Sequence, residues 1–188
     1  MLDLFLTGLL FTIPLIVSGI LHMVAVRTNV LPALKRPISQ PIFGPNKTWR
    51  GVVLMPIFTI LGVFLARLTE PAFGSHLIAF LGPSRAGESV ASGVVLGAVL
   101  GLAYVLAELP NSLMKRRLGI APGMTPERGR VLFVLVDQAD SAIGCAIAYL
   151  ALLRIPILLV LLLCVLGPGV HLAVNLLLFL LGLRKRPV

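Results

Sequence analysis

Five long apolar stretches, at about 3–26, 51–68, 89–108, 131–153 and 155–183, leave this chain little choice but to span a membrane. Each reaches the length a helix needs to cross a ~30 Å hydrocarbon core, the second near the minimum. Composition agrees. Hydrophobic residues make up 58% and charged residues 12%, where soluble domains carry about 25% charged residues, and mean hydropathy is +1.04. The expected fold is an all-α integral membrane protein of about five transmembrane helices with a short cytoplasmic interfacial helix. At 188 residues it reads as one polytopic membrane domain over 1–188. The first span has Asp3 and no basic residue ahead of it, unlike a secretory signal. Cys145 and Cys164 both fall in spans and read as small core residues rather than a disulfide framework.

Charge sets the expected orientation. Segment 27–50 holds Arg27, Lys35, Arg36, Lys47 and Arg50, and segment 109–130 holds Lys115, Arg116, Arg117, Arg128 and Arg130 against Glu127 alone. With Arg184, Lys185 and Arg186, thirteen of the sixteen basic residues fall on one side; Arg67, Arg85 and Arg154 lie on the other, with Glu70 and Glu88 beside them. The positive-inside rule then predicts a multi-pass protein of the cytoplasmic membrane, N-terminus outside and C-terminus in the cytoplasm. Arg27 and Arg184–Arg186 read as topology and headgroup anchors. Nothing here asks for a nucleic-acid partner.

Within the fourth span lie Asp137 and Asp140. An aspartate at the centre of a membrane helix costs roughly 2.5–3.5 kcal/mol on insertion scales. At i and i+3 both carboxylates leave one helical face, which points to a divalent metal or a cationic partner. Asp137 lies seven residues from Arg130, hence ~10 Å below the cytoplasmic boundary. The third span ends at that boundary with Glu108-Leu109-Pro110-Asn111-Ser112. Glu108, Asn111/Ser112 and Lys115 share one face if the helix continues; Pro110 either interrupts it or starts a short interfacial helix over 112–120. Carboxylates beside Lys and Arg at this depth suit a metal-bound polyphosphate, because Mg²⁺ takes one or two carboxylates plus phosphate oxygens.

Another loop offers Gly44-Pro45-Asn46-Lys47-Thr48-Trp49-Arg50-Gly51. It is no P-loop, since Pro41 and Asn46 stand where glycines belong. It is a Gly/Pro turn presenting Lys47, Thr48 and Arg50 for phosphate contact, with Trp49 as an interfacial anchor. His22 and His76 lack metal-ligand spacing. His171 and Asn175, at i and i+4 after Gly167-Pro168-Gly169, suit hydrogen bonding between helices, and the glycine–proline break is a second candidate for opening ligand space.

Glu108-x-x-x-Ser112-x-x-Lys115-Arg116-Arg117-x-Gly119-Ile120, a glycine at 123, and Asp137-x-x-Asp140-Ser141 resemble the signature of the CTP:phosphatidate cytidylyltransferases. With Lys47-Thr48-Trp49-Arg50-Gly51 and the small size, the chain looks most like the archaeal-type branch, the CDP-archaeol synthases. The resemblance is concentrated in 44–51 and 108–144. It implies transfer of CMP from CTP to a lipid phosphate, archaetidic-acid-like or phosphatidic acid, with release of pyrophosphate. It implies Mg²⁺, with a monovalent cation such as K⁺ as a further candidate, held by Asp137 and Asp140, with Glu108 a third possible ligand. Lys115 joins the aspartates as catalytic, and Lys47, Thr48, Arg50, Glu108, Asn111, Ser112 and Arg116 form the nucleotide and phosphate site. Two departures stand out: Ala107-Glu108 replaces the usual Gly-Asp, and Leu132-Phe133-Val134 replaces the bacterial branch's His-Gly-Gly. A homodimer is left open.

Intramembrane acids also mark ion pathways, so an ion- or proton-coupled transporter using Asp137 and Asp140 is the main rival; a lipid-binding scaffold is another. A CDP-alcohol phosphatidyltransferase would need D-G-x-x-A-R, which is absent. The charge split makes a direct prediction. In a variant with Cys145 and Cys164 replaced by alanine, a single cysteine at Ala121 should react with an impermeant thiol reagent only from the cytoplasmic side. Labelling only from outside would put the acids on the wrong side for CTP.

Overall fold

In a computed structural model, the structure describes residues 2–70, 90–124, 126 and 129–183. Among them are six α-helices: α1 (Leu2–Arg27), α2 (Gln40–Phe43), α3 (Trp49–Thr69), α4 (Val90–Arg117), α5 (Arg130–Leu153) and α6 (Ile157–Leu180). All but α2 are long and apolar enough to cross a membrane. Arg85, Glu88, Glu127, Arg128 and Arg184–Arg186, which entered the charge reading, lie outside the described residues, as does His76.

The long helices close a ring. α1 packs on α3, α3 on α4, α4 on α5, α5 on α6, and α6 returns to α1. Lipid gives little hydrophobic drive for helix association, so close backbone packing at small residues must supply it. The α3–α4 seam shows how. Gly93, Gly97 and Gly101 form an i, i+4, i+8 stripe on α4, and a Cβ added at Gly97 or Gly101 would come within 2.4 Å of the Cα of Ile60 or Pro56. Gly144 on α5 likewise sits against Ala103 and Ala107 of α4, and Gly167 on α6 against Ala142.

One half of the ring is plugged. Phe11, Leu100, Cys145, Tyr149, Leu159 and Leu163 form a buried core there. Tyr149 crosses to α1, its ring tilted 59° against Phe11 with ring centroids 4.6 Å apart, and donates its hydroxyl to the Phe11 carbonyl at 3.1 Å. The other half, where α1 ends and α3 begins, stays open around a cavity of about 380 Å³.

Two features depart from the sequence reading. The expected short interfacial helix at 112–120 does not exist as a separate element: α4 runs through Pro110 to Arg117. Proline removes one backbone donor, and membrane helices tolerate that where neighbouring helices pack against them. The short helix found is α2, in the loop between α1 and α3. The Gly167-Pro168-Gly169 segment is likewise helical throughout.

The glycine seam yields a stability prediction. Gly97→Ala meets α3 backbone, which cannot rotate away, and should lower the unfolding free energy by about 1–3 kcal/mol. Gly19→Ala, where an added Cβ meets nothing within 4 Å, should leave it unchanged. Thermal unfolding of the two variants in one detergent checks the contrast.

Candidate active site

The cavity draws residues from all five long helices and from the loop before α3. That loop is shaped by its backbone. Ile38 N–H donates to the Lys47 carbonyl at 2.8 Å and Trp49 N–H to the Arg36 carbonyl at 3.0 Å, around an isolated antiparallel bridge between Pro37 and Thr48. Gly44 ends α2 at φ +84°, and a Cβ there would lie 3.5 Å from Cδ of Arg116. The closed loop therefore packs over α4 and delivers Lys47 inward.

Lys47 Nζ pairs with Glu108 Oε2. Burial works to lower the Lys47 pKa, but Glu108, its hydrogen bond, Asp140 and Asp137 outweigh it, leaving the pKa raised. Such a shift adds stability that is fully present below the unfolded value of 10.5 and is lost only as pH rises through the folded value. Lys47 thus stays cationic across the neutral range.

The second cluster joins α4 to α5. Lys115 Nζ binds both carboxylate oxygens of Asp137. Asn111 Nδ2 donates to Asp137 Oδ1 at 2.7 Å and to Asp140 Oδ2 at 2.9 Å. Asp140 Oδ1 accepts the Ser141 N–H at 2.6 Å. Glu108, Asn111 and Lys115 therefore share one face, as their spacing requires of an unbroken helix.

Lys47, Thr48, Glu108, Asn111, Ser112, Lys115, Arg116, Asp137 and Asp140 all line the cavity. Thr48 makes no side-chain cap for α3, and Arg116 Nε is buried without a partner among the described residues. Arg50 is not brought there. It is 4% exposed, and its Nη1 reaches Asn29 Oδ1 and the Val30 carbonyl, both at 3.4 Å; it anchors the loop instead. Trp49 is half exposed, as an interfacial residue would be. Arg27 donates to the Gly182 carbonyl just past α6, so it caps a helix end.

Asn175 Nδ2 donates to Gln138 Oε1 at 2.8 Å, and His171 Nδ1 lies 3.4 Å from the Gln138 carbonyl. This is the interhelical bonding expected of them, and both also line the cavity. Sequence reasoning passed over Gln138 and Tyr104, and gave little weight to His22, although all three line the same cavity. The signal for Gln138 was its place between the aspartates. Nothing in the sequence marks Tyr104.

The donors fit a hard divalent cation. One oxygen each of Asp137 and Asp140 falls within hydrogen-bond distance of a single atom, Asn111 Nδ2, so the two converge on one point. No group of three or more His, Cys, Asp or Glu side chains forms a metal cage among the described residues. Two carboxylates with room for further oxygens match Mg²⁺ better than a structural metal. Glu108, paired with Lys47, stands apart from this pair.

The site is thus a ring of membrane-length helices around a cavity that holds carboxylates and cations together. Comparison with known proteins narrows the class. The family model described as CarS-like: CDP-archaeol synthase matches residues 1–188, and the chain belongs to this family. The CDP-archaeol synthase of Pyrobaculum aerophilum is 32% identical over 147 residues, 78% of this chain and 73% of that protein. That of Natronomonas pharaonis is 32% identical over 149 residues, covering 78% and 71%. No solved structure matches. The family is one of CTP-dependent cytidylyltransferases acting on a lipid phosphate, which makes the protein a nucleotidyltransferase. The transporter alternative built on Asp137 and Asp140 has no support in these relationships.

The two aspartates should behave differently when neutralised. Asp137→Asn leaves Lys115, whose side chain is only 12% exposed, without its counter-charge and should cost about 1.5–3 kcal/mol of stability. Asp140→Asn strands no cation and should melt near the parent. Thermal unfolding measured without nucleotide or metal checks the ranking; equal stability would show that the Lys115 pair holds nothing together.

Proposed function

We propose that this protein transfers CMP from CTP to the phosphate of an archaetidic-acid-type membrane lipid, giving a CDP-lipid and pyrophosphate, at a site facing the cytoplasm. The observation that carries this reading is the convergence of Asp137, Asp140, Asn111 and Lys115 inside a cavity that also takes Lys47 and Arg116. An oxygen of the lipid phosphate attacks the α-phosphorus of CTP. One phosphorus–oxygen bond forms, and the bond to the β-phosphate breaks. The nucleophile is already anionic, so no general base is required. The barrier is repulsion between two phosphates, which fixed cations at the site lower.

Lys115 and Arg116 are placed to bind phosphate oxygens, and Lys47, from the α1–α3 loop, to hold the triphosphate. Ser112 and Thr48 add hydroxyl donors. Glu108 keeps Lys47 oriented until nucleotide competes for it. Asp137 and Asp140 would hold Mg²⁺, which when bound supplies charge neutralisation at the phosphates. Arg50 holds the loop that carries Lys47, so it acts on the site through that loop.

The choice of an isoprenoid lipid rests on the names of the relatives. Purified protein with labelled CTP and Mg²⁺ should form CDP-lipid and pyrophosphate with archaetidic acid, and less with phosphatidic acid. Asp140→Asn should cut turnover about 10²-fold or more, some 3 kcal/mol, while staying folded. Folded, metal-replete protein that makes no product from either lipid overturns the reading.

A further inference from the structure

Asn111 holds a place in the aspartate cluster that hydrogen bonding alone leaves half used. Its Nδ2 serves both carboxylates, while its Oδ1 is buried with no partner among the described residues. A buried acceptor left so costs about 1–3 kcal/mol. The amide nitrogen sits between the two carboxylates, where a cation would be drawn, and presents N–H groups to that place. A divalent ion arriving there is repelled by those hydrogens, so both hydrogen bonds must break whatever Asn111 does next. Turning the amide by half a rotation sacrifices no bond of Oδ1, because it has none, and exchanges a donor for a hard oxygen.

The spacing suits that exchange. Oδ1 in the place of Nδ2 would stand 2.7 Å from Asp137 Oδ1 and 2.9 Å from Asp140 Oδ2. Adjacent ligands on an octahedral Mg²⁺ with bonds of ~2.0–2.1 Å lie about 2.9 Å apart. We propose that Asn111 is a third protein ligand of the divalent cation, donating between the aspartates without the ion and binding it through Oδ1 once the amide turns. This rests on the reading of Asp137 and Asp140 as the pair that holds the metal. It makes the cation a cross-link between α4 and α5, gained on ion binding.

Mn²⁺ alone, titrated into the detergent-solubilised full chain and followed by loss of the free-ion electron paramagnetic resonance signal, reads binding without turnover. Asn111→Ala and Asn111→Leu remove the oxygen, and whichever folds decides. Mn²⁺ should bind about tenfold more weakly or worse, the scale on which lost metal-site partners tell. Asn111→Asp, which keeps an oxygen in place, should bind at least as well as the parent. A residue that only orients the aspartates by donating to them would also cost affinity when removed, but Asn111→Asp cannot donate and would then bind more weakly than the parent; that result overturns the assignment, as would unchanged or tighter binding by Asn111→Ala. Asp140→Asn separates the two levels. Lost binding there with unchanged binding in Asn111→Ala removes only Asn111 from the ligand set. Unchanged binding in Asp140→Asn, or none by the parent, overturns the metal pair as well.

Discussion

Two carboxylates one turn apart on α5 would be costly in a bilayer, and the last turns of α4 are what make them tenable. Each would cost several kcal/mol alone in hydrocarbon. α4 meets them with Asn111 and Lys115 from one face, and with Glu108 one turn back turned to Lys47. The path of α4 beyond Pro110 follows from this: the helix has partners for its polar face past the point where its apolar run ends. The α1–α3 loop is positioned by the same face, because Lys47 is tied to Glu108 and Gly44 packs beside Arg116.

The charges of the cavity balance before any substrate arrives. Lys47, Lys115 and Arg116 face Glu108, Asp137 and Asp140, and two of the cations are already paired. A triphosphate and a lipid phosphate bring several negative charges into this neutral set. They can be held only if the existing pairs loosen and further positive charge comes with them. For the proposed reaction, a site of this composition would favour nucleotide and divalent cation together over either one separately, since each compensates what the other brings.

Most of the spans were legible because the bilayer imposes the length of each apolar run. The run read as 131–153 is the helix Arg130–Leu153, and 51–68 is Trp49–Thr69. The end of α4 was not legible, since proline followed by Lys-Arg-Arg looks like a helix terminus and the helix is sustained by partners on α5. The site divided in the same way. Lys115 and the aspartates were readable from spacing along single helices. Arg50 was not, because Lys47 and Arg50 sit three residues apart across the start of α3, where the chain changes from bridge to helix, and only the folded loop shows that one enters the cavity while the other returns to Asn29 and Val30. The pairing of Gln138 was hidden for a like reason: its partner, Asn175, belongs to another helix.

The walls of the cavity are unequal, and that bears on the substrate. Carboxylates and cations come from α4, α5 and the α1–α3 loop, whereas Leu15 and Ile16 of α1 and Val170, Val174 and Leu178 of α6 supply an apolar wall beside the uncharged polar side chains of Thr12 and Asn175 and the imidazoles of His22 and His171. Gly19, on the same stretch of α1, leaves space where any side chain would project. A water-soluble phosphate would fill the charged side and leave the apolar wall wet, at roughly 25 cal/mol for each Å² of apolar surface left in water. The proposed lipid phosphate would satisfy both sides at once, with its headgroup among the cations and its chains along α1 and α6. Those two helices are joined where Arg27 caps the end of α6, so the apolar wall has a fixed edge at the same end of the bundle as the charges it accompanies.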